Sequence, residues 1–319
     1  MHFVSDADID RFRRQKPSPI RSHALTEPAS HVTPEFERLL AEMRPLLHRY
    51  CARMTGSVID GEDVVQDTLL KAFAARSSGA TIDNPRAWLV RIAHNASLDF
   101  LRRRARGPVL ESDDALEALP APEPPDPDVV SASLRSFMRL PTLQRAAVIL
   151  KDVLDHSLEE VAAITGASLA SAKSALQRGR TRLRALAHEP ETNDGPQLSD
   201  VARARLTAYV DGFTSGNFDA VRAMLAEDVE LDLVARLTRR GVSDVGEYLG
   251  RYAATAQWAY AAGMVEERPA MLVYDRYGSL DTPAYFVALD LANDRVVGIR
   301  DFLFARYAME GAELRGLAS

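Results

Sequence analysis

The chain has 319 residues, 46% of them hydrophobic, with 39 Lys plus Arg against 45 Asp plus Glu and a formal net charge of -6. That length predicts two or three domains of ~100–150 residues with ordinary buried cores. A lone cysteine, Cys51, and the lack of any Cys or His cluster speak against an internal disulfide and a structural zinc site, so no metal or other cofactor is expected. No apolar run is long enough for a spanning helix, and MHFVSDADIDRFRRQK carries Asp and Arg where an export signal needs an apolar stretch. The expectation is a cytoplasmic protein with no membrane partner.

Composition shifts divide the chain. Residues 1–33 are polar with Pro17, Pro19 and Pro28 and read as a flexible arm. Residues 34–106 are helical in pattern: Phe36, Leu39, Leu40, Met43, Leu46, Leu47 and Tyr50 recur on one face. Residues 107–130 hold Glu111, Asp113, Asp114, Glu117, Glu123, Asp126 and Asp128 among prolines, with no Lys or Arg, and read as a solvated acidic linker. A second helical block spans 131–188, a short linker 189–198, and a third domain 199–319 that has neither Lys nor His.

In the first block, DGEDVVQDTLLKAF (60–73) predicts a helix capped by Asp60, with Val65, Leu69 and Phe73 inward and Glu62, Asp63, Gln66 and Asp67 outward. Asp63 and Asp67 repel at i,i+4, which costs helix stability and suggests a basic partner. The following NPRAWLVRIAHNASLDFLRRRAR (84–106) carries Trp88, Arg91, Asn95 and an arginine cluster, a combination suited to unstacked bases and their backbone. Trp88 is equally suited to a core.

The second block ends in SLEEVAAITGASLASAKSALQRGRTRLR. Ser157 and Glu160 make a capping box, Gly166 permits a tight turn, and Ser168 can cap the next helix. Val161, Ala162 and Ile164, then Leu169, Ala172, Leu176 and Leu183, are expected inward; Lys173, Ser174, Gln177, Arg178 and Arg180 outward. Between Ser168 and Leu186 there are five basic residues and no acid, although the whole chain is acidic. Such a helix can enter a major groove; a solvated basic helix in a bundle would read the same way.

Three segments, DGEDVVQDTLLKAF, RAWLVRIAHNASLDFLRRR and LPTLQRAAVILKDVLDHSLEEVAAITGASLASAKSALQRGRTRL, resemble in order and spacing the signature regions of extracytoplasmic-function sigma factors. These are promoter-recognition subunits of bacterial RNA polymerase, and the resemblance covers residues 34–188. It implies that Asp60, Glu62, Asp63, Gln66 and Asp67 dock on the clamp helices of core RNA polymerase. It implies that Asn84, Arg86, Trp88, Arg91, Asn95, Arg102, Arg103 and Arg104 melt and read the -10 element of promoter DNA. It further implies that Ser171, Lys173, Ser174, Gln177, Arg178 and Arg180 read the -35 element. Many relatives carry a basic residue where Ala175 stands and a bulky one at Gln177, so the -35 sequence cannot be copied from another member.

In the third domain, Val201, Leu206, Tyr209, Val210 and Phe213 form an inward helical stripe, a turn falls at 215–217, and Val229–Leu233 alternates like a strand. SDVGEYLGRYAATA predicts another helix, with strands near 270–274, 284–291 and 295–307. Helices followed by a curled antiparallel sheet, with AYVDGFTSGNFDAVRAMLAEDV (208–229) at the front, resemble the SnoaL-like, nuclear-transport-factor-like cone fold. The expected fold class is therefore two all-α sigma domains, the second with a helix-turn-helix, followed by an α+β SnoaL-like domain. Cone relatives include enzymes, but Asp232, Asp301, Tyr274 and Tyr285 show no diagnostic spacing, and Trp258 and Tyr260 suit a core. The function expected is a non-enzymatic sigma factor whose C-terminal domain modulates it. The competing reading is a ligand-sensing DNA-binding regulator, or a fused enzyme, that no longer engages polymerase; any ligand of the cone is unknown.

Overall fold

The computed structural model describes residues 33–105, 129, 132–187, 189 and 198–317. The N-terminal arm, the acidic linker apart from Val129, and the second linker apart from its ends lie outside the described residues.

The first helical unit is built from α1 (Pro34–Thr55), α2 (Val58–Ser77) and α3 (Pro85–Ala105). Thr33 caps α1, Gly56 ends it in the left-handed region, and Ser57 caps α2. Asp60 is thus not the cap: it sits one turn inside α2 and its backbone N–H donates to the Ser57 hydroxyl. Gly61 lets α2 lie against α1, since a Cβ there would stand 2.7 Å from the Ala52 backbone.

The second unit consists of α4 (Leu134–Met138), α5 (Thr142–Val148) running into a π-helical turn (Ile149–Val153), α6 (Leu158–Thr165) and α7 (Leu169–Ala187). The Ser157–Glu160 capping box and the left-handed Gly166 form as the residue types require. The two helical units share one apolar core, from Phe36, Leu47 and Tyr50 through Phe137 and Ile149 to Ala172 and Leu183. Arg145 fastens them: buried, it donates to the carbonyl of Met54 at 2.6 Å. Leu169, expected inward, is exposed because it opens α7 ahead of the first buried position, Ala172.

The C-terminal unit comprises α8 (Asp200–Ser215), α9 (Phe218–Ala223), β1 (Leu225–Leu233), β2 (Leu237–Arg240), α10 (Val242–Ala253), β3 (Trp258–Val265), β4 (Arg268–Asp275), β5 (Tyr285–Ala292), β6 (Arg295–Asp301) and β7 (Leu314–Gly316). The strands form one sheet in the order β2-β1-β6-β5-β4-β3-β7, with β1 parallel to β6 and the remaining pairs antiparallel. Expected β6 stops at Asp301, and a 3-10 turn (Arg306–Met309) follows. Val201, expected inward, is exposed in the first turn of α8; Leu206, Tyr209, Val210 and Phe213 are buried.

Because alternate strand residues face opposite ways, the sheet has two different faces. Its concave face carries Met271, Val273, Tyr285, Val287 and Ile299, which pack with Leu206, Tyr209, Phe213, Tyr248 and Leu249 of the helices. Its convex face carries Ala270, Leu272, Phe286 and Ala288, which pack with Phe302 and with Ala52, Val58 and Ile59 of α1 and α2. The third domain is therefore seated on the first through a shared apolar cluster.

The space between the concave face and the helices is occupied by aromatic rings. Phe213 meets Tyr252 and Phe218 edge-on at 5.3 Å, and Trp258 meets Tyr285 edge-on at 5.2 Å. Asp301 lies fully buried among them and accepts from the hydroxyls of Tyr248 at 2.7 Å and Tyr252 at 2.6 Å. Burial pushes its carboxyl above the ordinary aspartate range, while the two tyrosines pull it back. Asp232 and Tyr274 lie on the other face: Asp232 stands 3.4 Å from Arg300, and Tyr274 packs against the convex-face cluster.

Candidate polymerase and promoter interfaces

The acidic helix α2 does not present all its predicted residues to solvent. Asp60 accepts from Arg104 of α3 at 2.6 Å and from Arg268 of β4 at 2.7 Å. Glu62, expected outward, is 1% exposed; it pairs with Arg44 of α1 and accepts from the Tyr307 hydroxyl at 2.9 Å. Burial raises its pKa, and Arg44 opposes the rise. Asp63 accepts from Arg300 of β6 at 2.6 Å. Gln66 remains exposed, and Asp67 lies 3.8 Å from Arg103.

Beneath this polar ring, Val58 and Ile59 are fully buried against the sheet. Glu310 of the third domain pairs with Arg49 of α1 at 2.8 Å, and Glu313 with Arg135 of α4 at 2.7 Å. The partners Arg268, Arg300 and Tyr307 were not identified from the sequence, since each lies more than 200 residues along the chain and carries no motif.

The predicted -10 residues divide between two sides of α3. Asn84 caps the helix, its Oδ1 accepting the N–H of Ala87 at 3.2 Å. Trp88, Arg91, Asn95 and Arg102 follow at helical spacing on one side. Arg91 and Asn95 are exposed, whereas Trp88 is half-buried against the helical core. Arg86 and Arg104 lie on the other side and hold Glu42 and Asp60. Arg102 and Arg103 pair with Asp99 and Asp67 on the surface. Exposed pairs of this kind are worth ~0–1 kcal/mol, so phosphates can replace the acids at little cost. A cavity of about 360 Å³ separates Asn84, Trp88 and Arg91 from Ala163 and Ile164 of α6, so this end of α3 faces the helix-turn-helix.

On α7, Ser171 is exposed and Lys173, Gln177 and Arg178 are half-buried, while Ser174 is buried beside Ala175. Arg180, expected on the outer face, is a correction: it is 2% exposed and grips Asp152 through Nε at 2.9 Å and Nη2 at 2.5 Å. Asp152 projects from the π-helical turn, and Gly179 lets α7 approach α5 closely enough for the pair to form. Thr181 and Arg182 carry the outer face onward.

Two helical units that share one core, the second with a helix-turn-helix, carry an acidic helix and two basic helices, the make-up expected of a promoter-recognition subunit of RNA polymerase. The Sigma-70 region 2 family matches residues 39–107, and the Sigma-70, region 4 family matches residues 134–183. The ECF RNA polymerase sigma factor SigM of Mycobacterium tuberculosis is 32% identical over 158 residues, covering 49% of this chain and 80% of SigM. SigG of the same organism is 29% identical over 324 residues, covering 87% of this chain and 83% of SigG. The crystal structure of M. tuberculosis SigJ covers 83% of this chain and 95% of its own at 20% identity, with a TM-score of 0.33.

The chain belongs to the extracytoplasmic-function sigma factors. As such it binds core RNA polymerase and promoter DNA in transcription initiation, and it carries a C-terminal α+β domain built on one seven-stranded sheet. Sigma factors are initiation subunits rather than enzymes. Among the described residues no helix is long and apolar enough to cross a membrane, and no His, Cys, Asp and Glu cluster could hold a metal ion.

Proposed function

We propose that this cytoplasmic sigma factor rests in a closed form, with its C-terminal domain seated on the polymerase-docking helix. One observation carries the proposal: the convex sheet face buries Val58 and Ile59 while Arg268, Tyr307 and Arg300 engage Asp60, Glu62 and Asp63. Core polymerase and the C-terminal domain then compete for the same side chains, and the domain inhibits.

A second consideration supports a closed resting form. The -10 and -35 elements are by name ~25 base pairs apart, or ~85 Å at ~3.4 Å per base pair. A compact unit of ~150 residues has a radius of gyration of ~15 Å and is ~40 Å across. The two helical units share one core, so they must separate for α3 and α7 to reach both elements. In the open form Asp60, Glu62, Asp63, Gln66 and Asp67 dock on polymerase. Asn84, Trp88, Arg91, Asn95 and Arg102 contact the melted -10 strand, joined by Arg86, Arg103 and Arg104 once their acids are given up. Ser171, Lys173, Gln177 and Arg178 read the -35 duplex; Ser174 supports the helix from its buried side, and Arg180 holds it through Asp152.

The test is run-off transcription and core binding by the full chain, compared with an Arg268→Ala, Arg300→Ala double variant. Freeing the docking helix is expected to raise both by about tenfold, equivalent to ~1.4 kcal/mol. Equal or lower activity in the variant rejects inhibition by occlusion.

A further inference from the structure

The docking helix is only half covered. Ile59, Glu62, Gln66, Leu70 and Phe73 recur at spacings of three and four and so lie along one face of α2. Ile59 and Glu62 are buried, at 0% and 1% exposure. Gln66 is exposed, and Leu70 and Phe73, at 63% and 43%, are two of the few large apolar side chains left in solvent among the described residues. Phe73 was expected inward from its spacing with Val65; it instead completes this outer stripe, and Ala72 takes the buried place. Asp63 and Asp67 flank the stripe.

The covered end of the stripe displays what chemistry suits it. There the C-terminal domain offers apolar rings, Phe286 and Phe302, surrounded by the cations Arg268 and Arg300 and a hydroxyl from Tyr307. The uncovered end continues the stripe with Leu70 and Phe73, bordered by the surface acid Asp67, which Arg103 meets at 3.8 Å. It therefore suits the same kind of partner: a surface with apolar side chains bordered by basic ones. At the boundary, a cavity of about 260 Å³ opens between Glu62 and Gln66 and the turn that joins β1 to β2. The seam there is unfilled.

We propose that Gln66, Leu70 and Phe73 form a foothold on which core polymerase lands while the C-terminal domain is still seated, and from which it displaces that domain toward the start of α2. This rests on the closed form described above and adds the order of events: docking precedes opening. The last two turns of α2 supply the encounter, the contested first turns supply the exchange, and polymerase itself drives release.

The order is read from kinetics. Association of the full chain with excess core polymerase is followed over a wide range of polymerase concentration. The expected result is an observed rate that keeps rising with polymerase, and a slope about tenfold lower or more for a Leu70→Ser, Phe73→Ser double variant, the loss expected for an apolar hot spot. Gln66→Arg, a single exposed change, is expected to lower the slope in the same direction. Thermal midpoints of both variants should match the wild type, because the altered side chains are exposed. If the earliest phase already levels off at a plateau shared by wild type and variants, with no faster phase that rises with polymerase, spontaneous opening comes first, which overturns the foothold. So does an unchanged slope, or a lowered midpoint, which would place Leu70 and Phe73 in packing within the chain. An Arg268→Ala, Arg300→Ala variant separates the two ideas. If it binds faster while the foothold variants have no effect, occlusion stands and the foothold falls; if it behaves as wild type, occlusion itself falls.

Discussion

Glu266 closes the N-terminal end of α2 from a different domain. Its Oε1 accepts the backbone N–H of Val58 at 2.5 Å, and its Oε2 accepts the Ser57 hydroxyl at 2.5 Å. A carboxylate at a helix N-terminus is favoured by the helix dipole and by the orphan N–H groups of the first turn. Glu266 reaches that place from the turn between β3 and β4 with φ 58, a left-handed conformation costly for a side chain larger than Gly. The Glu266→Gly variant therefore separates two effects. Backbone relief of ~1–2 kcal/mol should preserve or stabilise the sheet, while loss of charge-assisted hydrogen bonds worth ~1.5–3 kcal/mol loosens the seat on α2. Tighter binding to core polymerase with an unchanged C-terminal fold is expected; titration against core polymerase together with circular dichroism checks both.

Arg180→Ala is expected to unfold the helix-turn-helix rather than to weaken one base contact. The substitution leaves Asp152, 0% exposed, without its partner, and breaking a buried pair costs ~3–5 kcal/mol. Replacing both, as Arg180→Met with Asp152→Leu, should recover most of that loss. Urea denaturation of the three chains reads the difference. A folded Arg180→Ala chain with selective loss of -35 binding would contradict this role.

Gly61→Ala should destabilise the α1–α2 pair despite the better helix propensity of alanine. The added Cβ meets the Ala52 Cα and N at 2.7 Å, and that neighbour is backbone. Propensity offers ~1 kcal/mol, against ~1–3 kcal/mol for overpacking. The expected net change is a fall in thermal midpoint, measured by calorimetry; a rise would show that the helices can part freely.

His94 makes stability depend on pH. Burial lowers its pKa from 6.5 to about 4, with a smaller push from Arg102, and its Nδ1 lies 2.7 Å from the Tyr50 hydroxyl. The unfolded chain protonates this ring near ~6.5 while the folded chain keeps it neutral. The contribution is complete above the unfolded value and is lost as pH falls toward the folded one, by about 2 kcal/mol at pH ~5. Glu62, Glu266 and Asp301, all raised by burial, act in the opposite sense, since stability tied to their protons is lost as pH rises. Comparison with His94→Gln at each pH isolates the histidine: the gap between the two chains should shift in favour of the variant between pH ~6.5 and ~5. A constant gap refutes the assignment.

Local rules made much of the architecture legible in the sequence. The apolar spacing from Phe36 to Tyr50, the Ser157–Glu160 capping box and the Gly166 turn depend on neighbours within a few residues, and they appear as read. The inward stripe of α8 from Leu206 to Phe213 and the strands at the end of the chain are of the same kind. β3 was missed because Trp258–Val265 does not alternate clearly: both of its sides are partly covered, and its burial shows no period of two.

What the sequence by itself determined is the helices, the longer alternating strands and the family, because capping, periodicity and ordered motifs are local and survive without knowledge of packing. Tertiary structure alone decided which of the charged residues are free. Arg180 reads as a groove-facing arginine until Asp152, 28 positions earlier, is placed beside it. Glu62 reads as a solvated acid until the C-terminal domain covers it and Tyr307, 245 residues later, donates to it. Burial and ion pairing depend on what comes from elsewhere in the chain. A side chain's exposure, and with it the face that polymerase can reach first, is a property of the packed molecule and not of the helix that carries it.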